Sequence, residues 1–221
     1  KISAKHTVKS GLFYDLFVFD LKDSIHNYKY DYYQVFRDFE GAASLLRPYI
    51  QWQYKPSNDL VINAGIHMMY FLFNQTSAIE PRLGIKWNFS SNQSLGLSYG
   101  KHGQILPFMI YFRKSEEHEL LSNKGLGMTK SDHLVLGYDL LVSRSLRFKL
   151  ETYYQNIYNV PVDTSPTAYS LLNEGADYII RSSGELIGEG AGYKYGLELT
   201  LEKFFSDNYY FLLTTSLFNS R

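Results

Sequence analysis

Cysteine is absent from the 221 residues of this sequence. Disulfide scaffolds, thiolate zinc sites and cysteine nucleophiles are therefore excluded. A surplus of either charge is also missing, because Lys and Arg together number 22 and Asp and Glu together number 22. A protein that binds nucleic acid irrespective of its sequence needs a basic surplus to neutralise phosphates. We therefore expect no nucleic-acid partner.

Long hydrophobic runs are the next absence. The segment from Leu60 to Phe73 comes nearest to one, but Asn63, Gly65 and His67 interrupt it. It falls short of the ~18 consecutive apolar residues that a transmembrane helix needs. The first residues lack the charged, apolar and small-residue parts of a signal peptide. Two expectations stay open at this point, a cytosolic protein or a portion of a longer chain.

Aromatic residues, in contrast, are abundant. They make up 17% of the sequence, with 20 Tyr and 15 Phe against only 2 Trp. Such a surplus favours β-strands and surfaces that need an apolar body with a polar tip. Hydrophobic residues account for 45% and charged residues for 20%, a balance that excludes a disordered tail.

The dominant hydrophobic period is two residues. It is clearest at 80–89, 146–155 and 193–202, where the charged residues occupy only every second position and the positions between them are mostly apolar. We call these two alternating sets of positions the charged parity and the apolar parity. Helical periodicity could not produce this arrangement, so the pattern predicts strands. Weaker examples of the same alternation lie at about 5–20, 45–54, 60–73, 94–100, 132–143 and 209–219. The sequence thus predicts an all-β fold, an antiparallel up-and-down meander of roughly nine to ten strands.

The connections between the predicted strands alternate in length. Short polar turns lie at 55–59, 90–93, 143–145 and 205–208, and longer links lie at about 21–44, 74–79, 101–131 and 156–191. Outer-membrane barrels have this layout, with short periplasmic turns at one rim and longer extracellular loops at the other. A soluble β-sandwich has no reason to sort its connections by length, and loops of ~30 residues are uncommon in compact domains.

The strand dimensions support the same prediction. The predicted strands are near the ~9–11 residues that a tilted strand needs to cross a bilayer. Bacterial single-chain barrels have an even strand count, so an odd count leads us to expect a partial transmembrane β-barrel. We expect the apolar parity to face lipid and the charged parity to face a wet lumen.

Three segments, at 79–104, 130–162 and 188–221, carry a resemblance to a known family. Within them, the run Glu-Pro-Arg-Leu-Gly at 80–84 precedes a strand, a turn and LGLSYG, and YGLELTLEK at 195–203 follows a Gly-rich approach. The sequence resembles the barrel of TonB-dependent outer-membrane receptors, in the form common in Bacteroidetes-type bacteria.

This resemblance implies the outer membrane of a Gram-negative bacterium and a role in energised, ligand-gated nutrient uptake. It also implies that residues 1–221 form a single β-barrel portion, without the plug domain and the remaining barrel strands of relatives. The implied partners are outer-membrane lipid and a small nutrient ligand, together with TonB and the plug domain of the same chain in the full-length protein. No catalysis and no cofactor are implied. The two open edges of such a portion predict self-association by strand addition.

One predicted extracellular loop is rich in tyrosine. The candidate ligand contacts in this loop are Tyr28, Tyr30, Tyr32, Tyr33 and Arg37. Tyrosine offers a rigid amphipathic contact surface at a low entropy cost, which is typical of ligand-binding loops. The alternative is an extracellular aromatic girdle with a solvated loop. The sequence alone leaves both interpretations open.

Two further motifs favour structural interpretations. Residues 188–192, Gly-Glu-Gly-Ala-Gly, lack the ending and the strand-to-helix context of a phosphate-binding loop, and we expect these glycines to ease the entry into a strand. The side chains of Glu116, Glu117, His118 and Glu119 are of the type that binds metals, but successive residues seldom converge on one ion. We expect a solvated loop there and no metal site.

Two rival functions stay open. A soluble calycin-like β-barrel carrier of a small apolar ligand would bury the apolar parity inside. A small outer-membrane barrel enzyme would need a complete closed barrel, which the odd strand number disfavours. We therefore expect a protein that is not an enzyme.

Overall fold

A computed structural model describes residues 3–114, 121–165, 167–174 and 184–221 of the chain. Nine strands form one antiparallel sheet, and their order in the sheet is their order in the sequence. The strands are β1 (His6–Asn27), β2 (Tyr32–Tyr54), β3 (Leu60–Phe71), β4 (Thr76–Ser90), β5 (Gln93–Gln104), β6 (Thr129–Leu141), β7 (Leu146–Asp163), β8 (Leu186–Ser206) and β9 (Tyr209–Ser220). The predicted all-β, up-and-down meander is confirmed, and the sheet is consistent with a partial β-barrel.

Helical structure among the described residues is brief. A single turn of helix, α1 (Phe108–Tyr111), lies between β5 and β6, and a 3-10 turn (Leu171–Asn173) lies between β7 and β8. Neither reaches the length and hydrophobicity that a helix needs to span a membrane.

The short turns lie where the sequence predicts them. The turn between β8 and β9 consists of Asp207 and Asn208, whose φ angles of 53° and 66° are left-handed. Two left-handed residues in succession match the right-handed twist of a hairpin, and Asp and Asn tolerate this conformation better than most residues. This turn and the other three short turns lie at one end of the sheet, which we call the short-turn end, and the opposite end is the loop end.

The longer links are shorter than predicted, because strand pairing continues into them. The link predicted at 21–44 is almost entirely strand, since β1 and β2 pair as far as Asn27 and Tyr32. The link predicted at 156–191 likewise contains the end of β7 and the start of β8. A two-stranded ribbon satisfies its own inner backbone groups, so these hairpins extend beyond the shorter neighbouring strands. The loop at 101–131 keeps most of its predicted length.

Alternation gives the sheet two chemically different faces. On β4, Leu83, Ile85 and Trp87 share what we call the apolar face, and Glu80 and Arg82 share the polar face. The strand register continues both faces across the sheet, since Arg82 lies opposite Gly65 on β3 and Gly100 on β5. Side chains on the apolar face are exposed, for example 45% for Leu83 and 51% for Trp87.

The buried core lies on the polar face at the loop end. Phe71, Tyr111 and Phe112 are fully buried there, and Leu45 and Met128 are nearly so. The residues that follow β5 fold back over this part of the sheet and bury it. The core is therefore built mainly between the sheet and this connection, and Phe73 and Tyr169 from two other links pack against it.

The two faces generate a prediction about Leu199 and Thr200 on β8. Leu199 lies on the apolar face, opposite Leu150 and Thr215, and Thr200 lies on the polar face, opposite Lys149. If the apolar face contacts lipid, as the sequence leads us to expect, replacing Leu199 with Arg in the intact protein should cost about 2–4 kcal/mol of folding free energy, because a cation near the bilayer midplane is poorly solvated. Thr200→Arg should cost much less. Urea titration of reversible folding into lipid vesicles measures both, and equal penalties or the reverse order would contradict the assignment of the faces.

Candidate functional site

The candidate tyrosines lie at the tip of the β1–β2 hairpin. Tyr28 and Tyr30 belong to its turn, whereas Tyr32 and Tyr33 begin β2. Their exposures run from 47% for Tyr32 to 90% for Tyr28. The structure therefore brings all four phenol rings to one exposed tip, and ligand contact by them stays a prediction.

An imidazole organises part of this tip. The ring of His26 makes edge-to-face contacts with Tyr28 and Tyr33, with ring centroids 4.7 Å and 4.9 Å away. Its Nε2 lies 3.2 Å from a carboxylate oxygen of Asp31. Edge-to-face packing of this kind restricts the rings, so the tip presents a partly ordered aromatic surface.

Arg37 is separated from the tyrosines. Only 5% of it is exposed, its guanidinium is paired with Asp23, and its Nε donates a hydrogen bond of 2.7 Å to the carbonyl oxygen of Met109. In this structure Arg37 therefore connects the hairpin to the chain that follows β5. Ligand contact by Arg37 stays a prediction.

The connection from β5 to β6 folds over the polar face. We call its described residues, 105–114 and 121–128, the inner cap. Phe112 of the cap stacks on Phe39 with a centroid distance of 3.9 Å, and Phe108 lies 4.7 Å from the ring of Phe19. Each buried phenylalanine contributes on the order of 1.5–3 kcal/mol. Aromatic packing therefore fixes the cap on the outer parts of β1 to β3.

Two asparagine side chains, one that donates hydrogen bonds and one that accepts, hold the second half of the cap, residues 121–128. The amide of Asn74 donates to the carbonyl oxygens of Lys124 and Leu126, at 3.0 Å and 2.8 Å. Asn123 is 1% exposed, and its side-chain oxygen accepts a hydrogen bond of 2.9 Å from the backbone N–H of Leu186. The cap is thus attached to the β3–β4 link and to the β7–β8 hairpin as well as to Arg37.

Two phenols near the cap are shielded from water. Burial raises the pKa of Tyr111, although the backbone N–H of Leu106, which donates to its hydroxyl, opposes the shift. Burial, followed by the nearby carboxylates of Glu174 and Asp163, raises the pKa of Tyr169 to about 12. Both shifts favour the neutral form of the phenol, which suits a contact from which water is excluded.

Glu80 is the centre of a polar network on the same face. It is 1% exposed, and its carboxylate lies 2.7 Å from each of three nitrogens, Nδ1 of His67, Nη2 of Arg82 and the backbone N of Gly103. Hydrogen bonds from three donors offset the free-energy cost of removing this carboxylate from water. Glu80 therefore ties β3, β4 and β5 together beneath the cap.

Beside this network lies an open concavity of about 300 Å³. His102 and His133 stand on one side of it with their ring centroids 4.8 Å apart. Gly100 provides the space for His102, because a Cβ atom there would lie 2.8 Å from its Nε2. The concavity is lined by residues of β2 to β6, which include the polar Gln51, Asn63, Arg82, Ser98 and His133 and the apolar Leu83 and Val135.

Charged residues continue along the polar face to the short-turn end. Arg147 is paired with Asp139 and approaches Glu202 at 3.7 Å, and Lys149 lies 2.5 Å from Glu151. The charged parity therefore forms a surface of paired charges below the concavity.

The described residues do not suggest a catalytic or metal centre. Among them, no group of three or more His, Asp or Glu side chains is placed to hold a metal ion, and residues 116–119 lie outside the described part of the chain. Residues 96–100, Gly-Leu-Ser-Tyr-Gly, match the Gly-x-Ser-x-Gly pattern of hydrolases, but they lie inside β5. That motif works at a strained turn from strand to helix, so Ser98 does not have the geometry of a nucleophile.

The glycine-rich run at 188–192 is part of β8, as the sequence analysis expects for a strand entry. A Cβ atom at Gly190 would lie 2.8 Å from the backbone oxygen of Val160, and the β7–β8 register shifts there. Glycine is therefore required by the close approach of two backbones.

The Glu80 network and the cap are not predicted from the sequence. The signal for the network was present, since Glu80, Arg82 and His67 occupy the charged parity of adjacent strands. The signal for the cap was the apolar character of both parities near Phe17 and Phe19, where one face alone should be apolar.

Glu80→Gln tests how much the network contributes to the stability of the fold. The substitution keeps the shape of the side chain but removes the charge that accepts from Arg82 and His67, so the free energy of unfolding should fall by about 2 kcal/mol. Glu202→Gln is a matched control at a half-exposed ion pair and should cost less than about 1 kcal/mol. Denaturant unfolding of the intact protein in micelles gives both values. If Glu80→Gln lowers the free energy of unfolding by no more than Glu202→Gln does, the network contributes no more to stability than an ordinary surface ion pair.

Comparison with known proteins identifies the fold. No protein-family model matches the sequence, and no curated protein matches it. Among solved structures, the FrpB iron transporter from Neisseria meningitidis superimposes on 100% of this chain with a TM-score of 0.68 and 10% sequence identity. The copper transporter OprC gives 0.67 over 99% at 8% identity, and the siderophore receptor PirA from Pseudomonas aeruginosa gives 0.63 over 97% at 11% identity.

The similarity covers only part of those proteins. This chain spans 34% of the FrpB chain, 36% of OprC and 41% of PirA. Nothing in these structures supports the narrower resemblance to the Bacteroidetes form. The nine strands therefore have the fold of a section of the wall of an outer-membrane transport barrel.

Proposed function

We propose that this chain forms part of the barrel wall of a TonB-dependent outer-membrane receptor that takes up a nutrient by energised, ligand-gated transport. The observation that carries the proposal is the exposed apolar face. Apolar-face side chains on five of the strands, Leu16, Ile50, Ile66, Ile79 and Leu136, are each about half exposed or more. An apolar surface of this extent marks contact with a membrane or a partner, and alternation with a polar face is typical of a transmembrane barrel.

The same observation weighs against the soluble carrier. A calycin-like barrel would bury the apolar parity, whereas Glu80 and Phe71, which are nearly or fully buried in this sheet, lie on the opposite face. The enzyme alternative has less support, since the solved structures with this fold are described as transporters and receptors.

The partners of the proposed receptor follow from its two faces and its edges. Outer-membrane lipid covers the apolar face, and the plug domain lies against the polar face and relays the action of TonB. We propose that residues 1–221 are one continuous portion of the barrel. Strands β1 and β9 are the edges of the sheet, and their unpaired backbone groups need further strands in a membrane, or associate with one another in an isolated piece.

We further propose that the hairpin tip contributes to ligand capture. Tyr28, Tyr30, Tyr32 and Tyr33 are exposed at the loop end, and Lys29 approaches the ring of Tyr30 at 4.9 Å. The fold relatives include an iron transporter, a copper transporter and a siderophore receptor, so metal ions and their chelates are the first ligands to test.

The double variant Tyr28→Ser with Tyr30→Ser tests this proposal. Both residues belong to the turn and make no ladder pairs, so the barrel should assemble normally. Affinity should fall by roughly thirtyfold, because the two interface side chains contribute about 1 kcal/mol each and every 1.4 kcal/mol is a factor of ten. The measurement is the uptake of radiolabelled iron, iron–siderophore complex and copper by cells with matched surface expression.

Tyr210→Ser at the opposite end of the sheet is the control, since Tyr210 is 74% exposed. Its uptake should equal that of the unaltered protein. Unchanged uptake by the double variant would show that the tip is only a solvated aromatic rim, and no uptake of any probe by the unaltered protein would contradict transport of these ligands.

A further inference from the structure

We propose that the inner cap is a fixed partition of the barrel mouth, which stays on the sheet while solute passes along the open part of the polar face, on β2 to β6 between the cap and the short-turn end. This inference rests on the proposed receptor function. It assigns the cap a different role from that of a gate that opens for each transport event.

The surface beneath the cap is the first support. On β1 to β3, the positions of the polar face near the loop end are apolar and include Phe17, Phe19, Ala43, Leu45 and Phe71. Ala43, Leu45 and Phe71 are at most 4% exposed. An apolar patch of this size in a wet lumen would be costly if uncovered. The apolar surface of the cap therefore matches this apolar patch on the sheet, which we call the seat. Lifting the cap would expose both surfaces to water.

The attachments of the cap are the second support. It is held by Arg37 on the β1–β2 hairpin, by Asn74 on the β3–β4 link, and at Leu186 on the β7–β8 hairpin through its own Asn123. In addition, the backbone N–H of Lys114 donates a hydrogen bond of 2.8 Å to the carbonyl oxygen of Phe36. Movement of the cap would break buried polar contacts on both flanks at once, and such contacts are expensive to leave unsatisfied.

The third support is the part of the polar face on β2 to β6 between the cap and the short-turn end, because it is open to solvent. Ser98 is exposed and lines the concavity. A Cβ atom at Gly84 would have no neighbour within 4 Å, and one at Gly96 would have a single neighbour at 4.0 Å. Below these positions lie the ion pairs of Asp139 and Arg147. The space beside the cap therefore suits a hydrated solute without any displacement of the cap.

Cysteine reporters test the partition, since the chain contains no cysteine of its own. Ala43→Cys lies in the seat, Ser98→Cys lies on the open side, and Tyr28→Cys reports on the exposed tip. Each variant of the intact receptor is exposed in living cells to a membrane-impermeant methanethiosulfonate reagent, with and without a protonophore. The measurement is the labelling rate at each position.

We expect labelling of Ser98→Cys to rise at least about fivefold when the membrane is energised, and that of Ala43→Cys to change less than about twofold. Asn123→Ala added to Ala43→Cys should raise labelling about tenfold in both conditions, because the closed cap loses a buried hydrogen bond. Asn92→Ala, which removes an exposed amide contact to Leu141, is the matched control and should leave labelling unchanged.

The outcomes distinguish a failure of the fixed partition from a failure of the proposed receptor function. Energy-dependent labelling of Ala43→Cys would overturn the fixed partition, and a Ser98→Cys that never reacts would overturn the open route. Failure of Tyr28→Cys to react from outside the cell would contradict the membrane orientation, and hence the proposed function itself.

Discussion

The antiparallel backbone ladder is the constraint on which this structure depends. Each strand pairs with its neighbours in the chain, and pairing forces consecutive side chains onto opposite sides of the sheet. A ladder in lipid must also satisfy every backbone group internally, because no water is available there. One face can then be apolar and the other polar without any cost to the backbone. The chemistry of the two faces follows from register alone.

The cap is the place where this simple division fails. Phe17, Phe19 and Phe71 belong to the polar parity by register, yet they are apolar because the chain after β5 covers them. The covered region and the Glu80 network lie side by side, so one face contains a dry part, a tightly paired part and a hydrated part. The polar face is therefore divided into regions of different chemistry.

The elements that the sequence predicted well are those with local signals. The segment from Glu80 to Phe89 separates charged from apolar residues at every step, and β4 has the faces that this pattern indicates. Phe17 and Val18 show the opposite case, because both parities of β1 are apolar there and periodicity cannot assign a face. The contacts that explain it are remote in sequence. Arg37 and Met109 are 72 residues apart in sequence, and Asn123 and Leu186 are 63 residues apart. Local sequence patterns do not predict contacts over such separations.

The central claim is that the apolar face contacts lipid and the polar face contacts water. The most direct measurement is a spin-label scan of residues 132–140 in β6 of the intact protein in bilayers, recording collision with oxygen and with a water-soluble nickel chelate. We predict that oxygen accessibility peaks at Leu134 and Leu136 and that nickel accessibility peaks at Val135 and Gly137, with a period of two residues. Accessibilities with the opposite phase, or without alternation, would contradict the account.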